Sequence, residues 1–356
     1  MRKLKKAHRV VLYLIILGIS TGILGSVIAQ SPFGSNLFPL KCVADIELAG
    51  GTARFDYQSI DEKDRRLYIA HLGADMVTVF DLSKNAVVTN ITGISRPHGI
   101  RAVSGNNRVY VSATGTDQIV VLDPQTFRII HRIDAGHFPD GIAYDPADNK
   151  LFVSDEFGKT VTVIDTSTNR VITRIKMGGE PGNTHYDPIL KLIYTAVQTS
   201  NELVVIDPRT NNIITRYKLR WCRGAHGFYI DPETNYAFVT CQDNAGYVVF
   251  DLHSARTIDH GTVGNGPDVL AFDKIYHLLY VASESGVISV YTIGKNDIKK
   301  IYQGFFARNA HTVAVDQVTH RVFFPLQDID GKPVLRIMEP RERVIGSIIG
   351  KGRNRK

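Results

Sequence analysis

The chain rewrites one unit of about forty residues along most of its length. The segment from Pro139 to Ile175 shows it plainly: four apolar runs, GIAY, KLFVS, TVTVID and RVITRI, separated by turn formers such as DPADN, EFGK and TSTN. Each run is rich in Val, Ile, Phe and Tyr and too short for a helix, so the unit predicts four short antiparallel strands. The third run ends in an Asp that recurs as Asp81, Asp123, Asp165, Asp207 and Asp251, at intervals of 42, 42, 42 and 44 residues. Two degenerate copies follow, at Tyr291 in VISVYTI and Met338 in VLRIMEP. Seven copies at this period indicate a propeller or a solenoid.

The repeats run to the C-terminus without a linker, so a body spanning 43–356 reads as one large all-β domain rather than two. The formal charge of +7 is concentrated at the ends. Arg2, Lys3, Lys5, Lys6 and Arg9 supply five positive charges and Lys351, Arg353, Arg355 and Lys356 four, which leaves the body near −2. A near-neutral body carries no electrostatic footprint for nucleic acid, and no nucleic-acid partner is expected. Residues 1–30 are basic and then apolar. The uncharged stretch Val10–Ala29 is long enough to cross a bilayer as a helix, and it also reads as a signal peptide. Its basic flank puts the start in the cytoplasm and the body on the far side of the membrane, periplasmic or at the cell surface, secreted or anchored. Residues 31–42 read as a linker with turn composition. Two strands compete to complete the last blade and close the ring: Val43–Leu48 (VADIEL), ahead of the first repeat, and the C-terminal ERVIGSII.

The second runs of successive units, LYIAH, VYVSA, LFVSD, LIYTA, AFVTC and LYVAS, resemble the YVTN-type β-propeller repeat family, over essentially the whole exported body. The resemblance implies a seven-bladed β-propeller of four-stranded antiparallel blades. It implies kinship of architecture with the propellers of nitrite and nitrous-oxide reductases and of some lactonases. Such a scaffold hosts binding, scaffolding and several chemistries, so it does not by itself name a function.

In a propeller the first strand of each blade lines a central channel, and the common register lets the rim be read. One column is Asp56, His98, Asp140, Gly182, His226, Asp268 and His311. Six of these seven positions are His or Asp, which crowds imidazoles and carboxylates at one end. A second column, at the ends of the second strands, reads Leu72, Thr114, Glu156, Gln198, Gln242, Glu284 and Gln327, preceded at three places by His71, Asp155 and Cys241. Blade four, with Gly182 and Gln198, is the sparse side. The ligand-binding set expected from these columns is Asp56, His71, His98, Asp140, Glu156, His226, Asp268, Glu284 and His311.

Three readings of the ring stand open. It is a structural network of paired groups and turn formers. It is a metal site, with His98, His226 and His311 as ligands of a divalent or copper-type ion. Or a His–Asp pair serves as general base and acid, with the same three histidines as catalytic candidates. No G-x-S-x-G elbow, haem-attachment string or phosphate-binding glycine loop occurs. Cys222 and Cys241 map to the same face of blade five and, in an exported protein, are expected to form a disulfide with Cys42 left over. The alternative is a soft-metal site of Cys222, His226 and Cys241. Together these features describe an exported binding or interaction module for a small molecule or protein at the rim, tied to the membrane through its N-terminal segment. The runner-up is a propeller enzyme of lactonase or lyase type, with or without the assistance of a metal.

Overall fold

Each unit folds as a four-stranded antiparallel sheet in chain order, as in the sheet of Pro139–Asp145, Lys150–Asp155, Thr160–Asp165 and Arg170–Lys176. The computed structural model describes residues 38–294 and 297–346, and these contain seven such sheets. The proposed signal or anchor, residues 1–30, lies outside the described residues. The recurring Asp residues are turn devices. Oδ1 of Asp123 accepts the backbone N–H groups of Gln125 and Thr126 at 2.8 and 2.9 Å. Oδ1 of Asp81 does the same for Ser83 and Lys84. These Asx turns hold the tight connection between strands three and four, and at Asp123 they keep the carboxyl below its usual range. The Asp ending most first strands does likewise, as at Asp187 and Asp273.

The second and third strands are buried almost throughout, while the fourth alternates exposed and half-buried residues. The inner strands are therefore apolar without alternation, because both faces of each sheet are covered. Core clusters form between blades rather than within them. One joins Val103, Tyr110, Ile119 and Val121 of blade two to Tyr144, Leu151, Val153 and Ile164 of blade three.

Leu40–Glu47 pairs antiparallel with Lys332–Pro340 and supplies the outer strand of blade seven. The N-terminal strand thus takes the contested place. Of the C-terminal competitor, residues 342–346 form a single helical turn and the rest lies outside the described residues. The strand begins at Leu40, so Leu40–Cys42 belong to the sheet and not to the linker. The closing strand is held by charge as well as by its ladder. Asp45 takes the Arg336 guanidinium in a two-pronged contact at 2.8 and 2.6 Å, and Lys41 meets Glu339 at 2.7 Å. Its Ala44 and Ile46 pack on a cluster containing Phe323, Leu335 and Ile337 of blade seven and Phe55, Leu67 and Phe80 of blade one. Closure completes the seventh sheet and covers the edge that Lys332–Pro340 would otherwise expose.

Cys222 and Cys241 are joined in a disulfide, with Cα atoms 5.2 Å apart, and Cys42 is a free, exposed thiol. The bond ties the entry of blade five to the end of its second strand. Asp45→Ala leaves the nearly buried Arg336 without its carboxylate and should lower the unfolding free energy by about 2 kcal/mol in urea titration. An unchanged midpoint would show that the closing strand does not depend on this pair.

Candidate functional site

The ring residues occupy a break in the inner-strand ladder. In blade three Pro139 pairs with Asp155 and Ile142 with Val153, so Asp140 and Gly141 fall where the register shifts. Blades two, four, five and six repeat the shift at the same place. Freed from the ladder, this stretch of backbone runs close to the neighbouring blade. Gly99 lies against the backbone of Asp140, and Gly227 against that of Asp268, and a Cβ at either position would collide with that backbone. The glycine after the ring residue thus permits blades to meet at the channel. Gly182, the ring position without a side chain, leaves room that His226 occupies: a Cβ there would come within 2.7 Å of the His226 Nδ1.

Asp268 is the meeting point. Its carboxylate stands 3.3 Å from His226 Nε2, 4.0 Å from His311 Nε2 and 3.9 Å from the Arg54 guanidinium. Asp56 stands 3.9 Å from His98 Nε2 and 3.7 Å from Arg54. Arg54 reaches further, to Glu284 at 3.0 Å. All six His and Asp ring residues are buried. The Nδ1 atoms of His98 and His311 lie 3.0 and 2.9 Å from the carbonyls of Arg96 and Asn309. Such a contact requires the proton on Nδ1, which leaves each Nε2 lone pair turned to the ring carboxyls. All of the ring His and Asp residues except His311 border a cavity of about 300 Å³ that is also lined by Phe138, Phe157, Glu156 and Gln242.

Burial and pairing divide the charges unequally. Burial opposes charge on both His226 and Asp268, but their contact outweighs it: His226 is raised to about 9 and Asp268 is held below the usual carboxylate range. Burial raises Asp56 well above its ordinary value, and the nearby Asp268 charge adds to this. Burial, opposed by His226 and assisted by Glu156, lifts Asp140 to about 7. His98 falls to about 4 and His311 is also lowered, both chiefly through burial. At pH 7 the ring therefore holds a His226–Asp268 ion pair, two neutral histidines and an Asp140 carboxyl near its midpoint, with Asp56 shifted towards its protonated form.

Of the residues expected from sequence, Asp56, His98, Asp140, Glu156, His226, Asp268 and Glu284 border this cavity. His311 joins them through Asp268. His71 does not reach the cavity. It is fully buried and stacked on Phe55 with ring centroids 3.9 Å apart, and burial lowers it to about 4. Asp155 is likewise structural, accepting from Thr160 and Thr162 at 2.7 Å each and from the Gly136 N–H. The three histidines proposed as ligands are not gathered at one point. Among the described residues, the ligand atoms lying within 4.8 Å of one another are those of Asp56, Asp268 and His311. Cys222 and Cys241 are engaged with each other, so the set with His226 does not form. Sequence reading missed Arg54, which bridges three carboxylates. The signal was available two residues before the ring column, where blade one carries Arg54 and blade two Arg96.

The sequence profile of the YNCE-like beta-propeller family matches residues 50–188 and 100–315. No curated protein matches the chain. Among solved structures, hydrazine synthase of Kuenenia stuttgartiensis superposes with a TM-score of 0.68 at 14% identity, covering 83% of this chain and 97% of that one. Virginiamycin B lyase of Staphylococcus aureus superposes with a TM-score of 0.69 at 12% identity, covering 84% of this chain and 99% of that one. At such identity the likeness establishes the fold alone.

Asp268→Asn removes the partner that keeps His226 charged. The raised His226 pKa contributes stability that is complete below about 6.5 and is lost as pH rises through about 9. The depressed Asp268 contributes stability present above its ordinary range and lost as pH falls through its lower folded value. The variant should therefore be less stable than wild type by about 3 kcal/mol between pH 5 and 6.5, with the gap closing towards pH 9. Denaturant unfolding across that range checks it; a gap independent of pH would contradict the ion pair.

Proposed function

The chain belongs to the YNCE-like beta-propeller family, and on that scaffold we propose an exported binding module whose ring cavity holds a small molecule through a divalent cation. One observation carries this reading: two carboxylates and one imidazole, all buried, present ligand atoms within 4.8 Å of one another. Among the described residues the His311 Nε2 has no hydrogen-bond partner, while Asp268 Oδ1 faces the His226 Nε2 at 3.3 Å. An unsatisfied buried acceptor such as the His311 Nε2 is costly unless something occupies the space beside it. Two oxygens and one nitrogen suit manganese or zinc better than a soft ion such as copper(I). Arg54 is a loose partner of Asp56 and Asp268 and a close one of Glu284, so it can stay with Glu284 when a cation enters. Asp56 and Asp268 border the 300 Å³ cavity, whose aromatic wall of Phe138 and Phe157 would supply an apolar surface for the ligand. Export and attachment through residues 1–30 rest on the basic-then-apolar sequence there, and the Cys222–Cys241 bond fits an oxidising compartment.

The second reading is an enzyme of lactonase or lyase type on the same cavity. Asp140, at about 7, is tuned for proton transfer near neutral pH, and His98 directs an unprotonated Nε2 at Asp56. The likeness to a lyase is one of fold and adds nothing on substrate.

Calorimetric titration of chelator-treated protein with manganese and with zinc tests the site. Wild type should bind one ion per chain. Burial favours the protonated form of Asp56, which must be ionised to serve as a ligand, so affinity should rise with pH. His311→Ala should weaken binding by at least about tenfold, the order expected for loss of one ligand or its orienting partner. Gln198→Ala, on the sparse side, should change it less than about twofold. No binding by wild type, or equal binding by the His311 variant, would show the ring to be structural.

A further inference from the structure

Three residues along each inner strand from the ring lies a second ring, deeper in the channel. Its positions are Ser59, Arg101, Ala143, His185, Tyr229, Ala271 and Ala314. All of them border the two cavities on this side of the channel, the larger of about 840 Å³. Where the first ring crowds carboxylates and imidazoles, the second holds three alanines, no acid and one fixed charge, Arg101. Arg101 is solvent-exposed where it borders both cavities. No ion pair or hydrogen bond engages the Arg101 side chain among the described residues. Two half-buried arginines are treated differently: Arg54 has three carboxylates around it, and Arg65 grips Asp316 at 2.7 Å.

A cation that borders a cavity without a carboxylate partner is open to an anionic ligand. His185 sits edge-on to Phe228 at 4.7 Å and is pushed down to about 4, mainly by burial and then by the Arg101 charge, so near neutral pH it adds no second positive charge to this ring. The carboxylates closest along the strands are already committed. Asp61, Asp145 and Asp187 accept backbone N–H groups in the turns that end the inner strands. Walls made by Ile142, Tyr144, Phe228 and Val313 are apolar or aromatic.

We propose that this deeper chamber is a second ligand site, distinct from the ring cavity, that binds a small organic carboxylate with Arg101 paired to its anionic end. A single guanidinium matches one carboxylate in a two-pronged contact. A phosphate, with two charges, would call for a second cation that this ring does not hold. The chamber volume and its alanine row leave room for an apolar body of several carbons. The site does not depend on the cation reading of the first ring.

The test uses the full chain, with benzoate as the probe, benzamide as its uncharged counterpart and inorganic phosphate as the competing anion. Calorimetry should show saturable benzoate binding by wild type. Benzamide, and benzoate with the Arg101→Met variant, should each bind at least about tenfold more weakly, the loss expected for one charge-assisted pair. Thermal unfolding of the variant establishes that it is folded, since removing an unpaired charge from a cavity does not destabilise the sheets. Arg101→Lys, which keeps the charge without the fork, should fall between the two. Absence of benzoate binding at millimolar concentration overturns the proposal. Equal affinity for benzamide, or equal affinity in Arg101→Met, overturns it as well. Tighter binding of phosphate than of benzoate overturns the ligand class.

Discussion

The Asp268 carboxylate is buried among charges from three other blades, and the state of the whole ring follows from it. A carboxylate removed from water is tolerated only where cations or hydrogen-bond donors replace the lost solvation. His226 of blade five supplies the closest partner and Arg54 of blade one a second, while His311 of blade seven approaches from the other side. Burial and then the Asp268 charge raise Asp56, while burial lowers His98 and His311 against the pull of Asp268. The ion pair joins blades five and six, and Arg54 and His311 bring blades one and seven to the same carboxylate.

Much of this was legible from sequence, for physical reasons that differ from residue to residue. The period and the strand count were readable because every blade needs the same turn chemistry, and Asp81, Asp123 and Asp165 each spend their carboxylate on the same two N–H groups. The ring column was readable because the ladder break falls at one register in blade after blade. What resisted reading was set by contacts between units. Leu40–Glu47 and ERVIGSII look equally strand-like, and only Arg336 and the apolar cluster beneath Ala44 and Ile46 decide between them. His71 was misplaced because it and Leu72 are neighbours in a chain whose side chains alternate: Leu72 borders the cavity, whereas His71 turns into the blade and stacks on Phe55. Arg54 was overlooked because it belongs to no column shared by all seven blades.

The architecture separates durability from chemistry. Packing between neighbouring sheets, the Asx turns and the closing strand hold the ring, and none of them uses a side chain of the cavity. The ring residues are free to differ between blades, as the sequence D-H-D-G-H-D-H and the lone Arg101 of the deeper ring both show. The side chains that vary therefore lie in the stretch where the inner strand leaves its ladder and in the channel-facing positions that follow, a division that fits a scaffold able to carry several functions.

The central claim, that a charged His226 paired with Asp268 organises the ring, is tested most directly by following the His226 imidazole by nuclear magnetic resonance as pH is raised. The account predicts that its ring nitrogens titrate near pH 9, well above an ordinary histidine, while those of His98 and His311 stay neutral down to acidic pH. A His226 that titrates at or below pH 6.5 would contradict it.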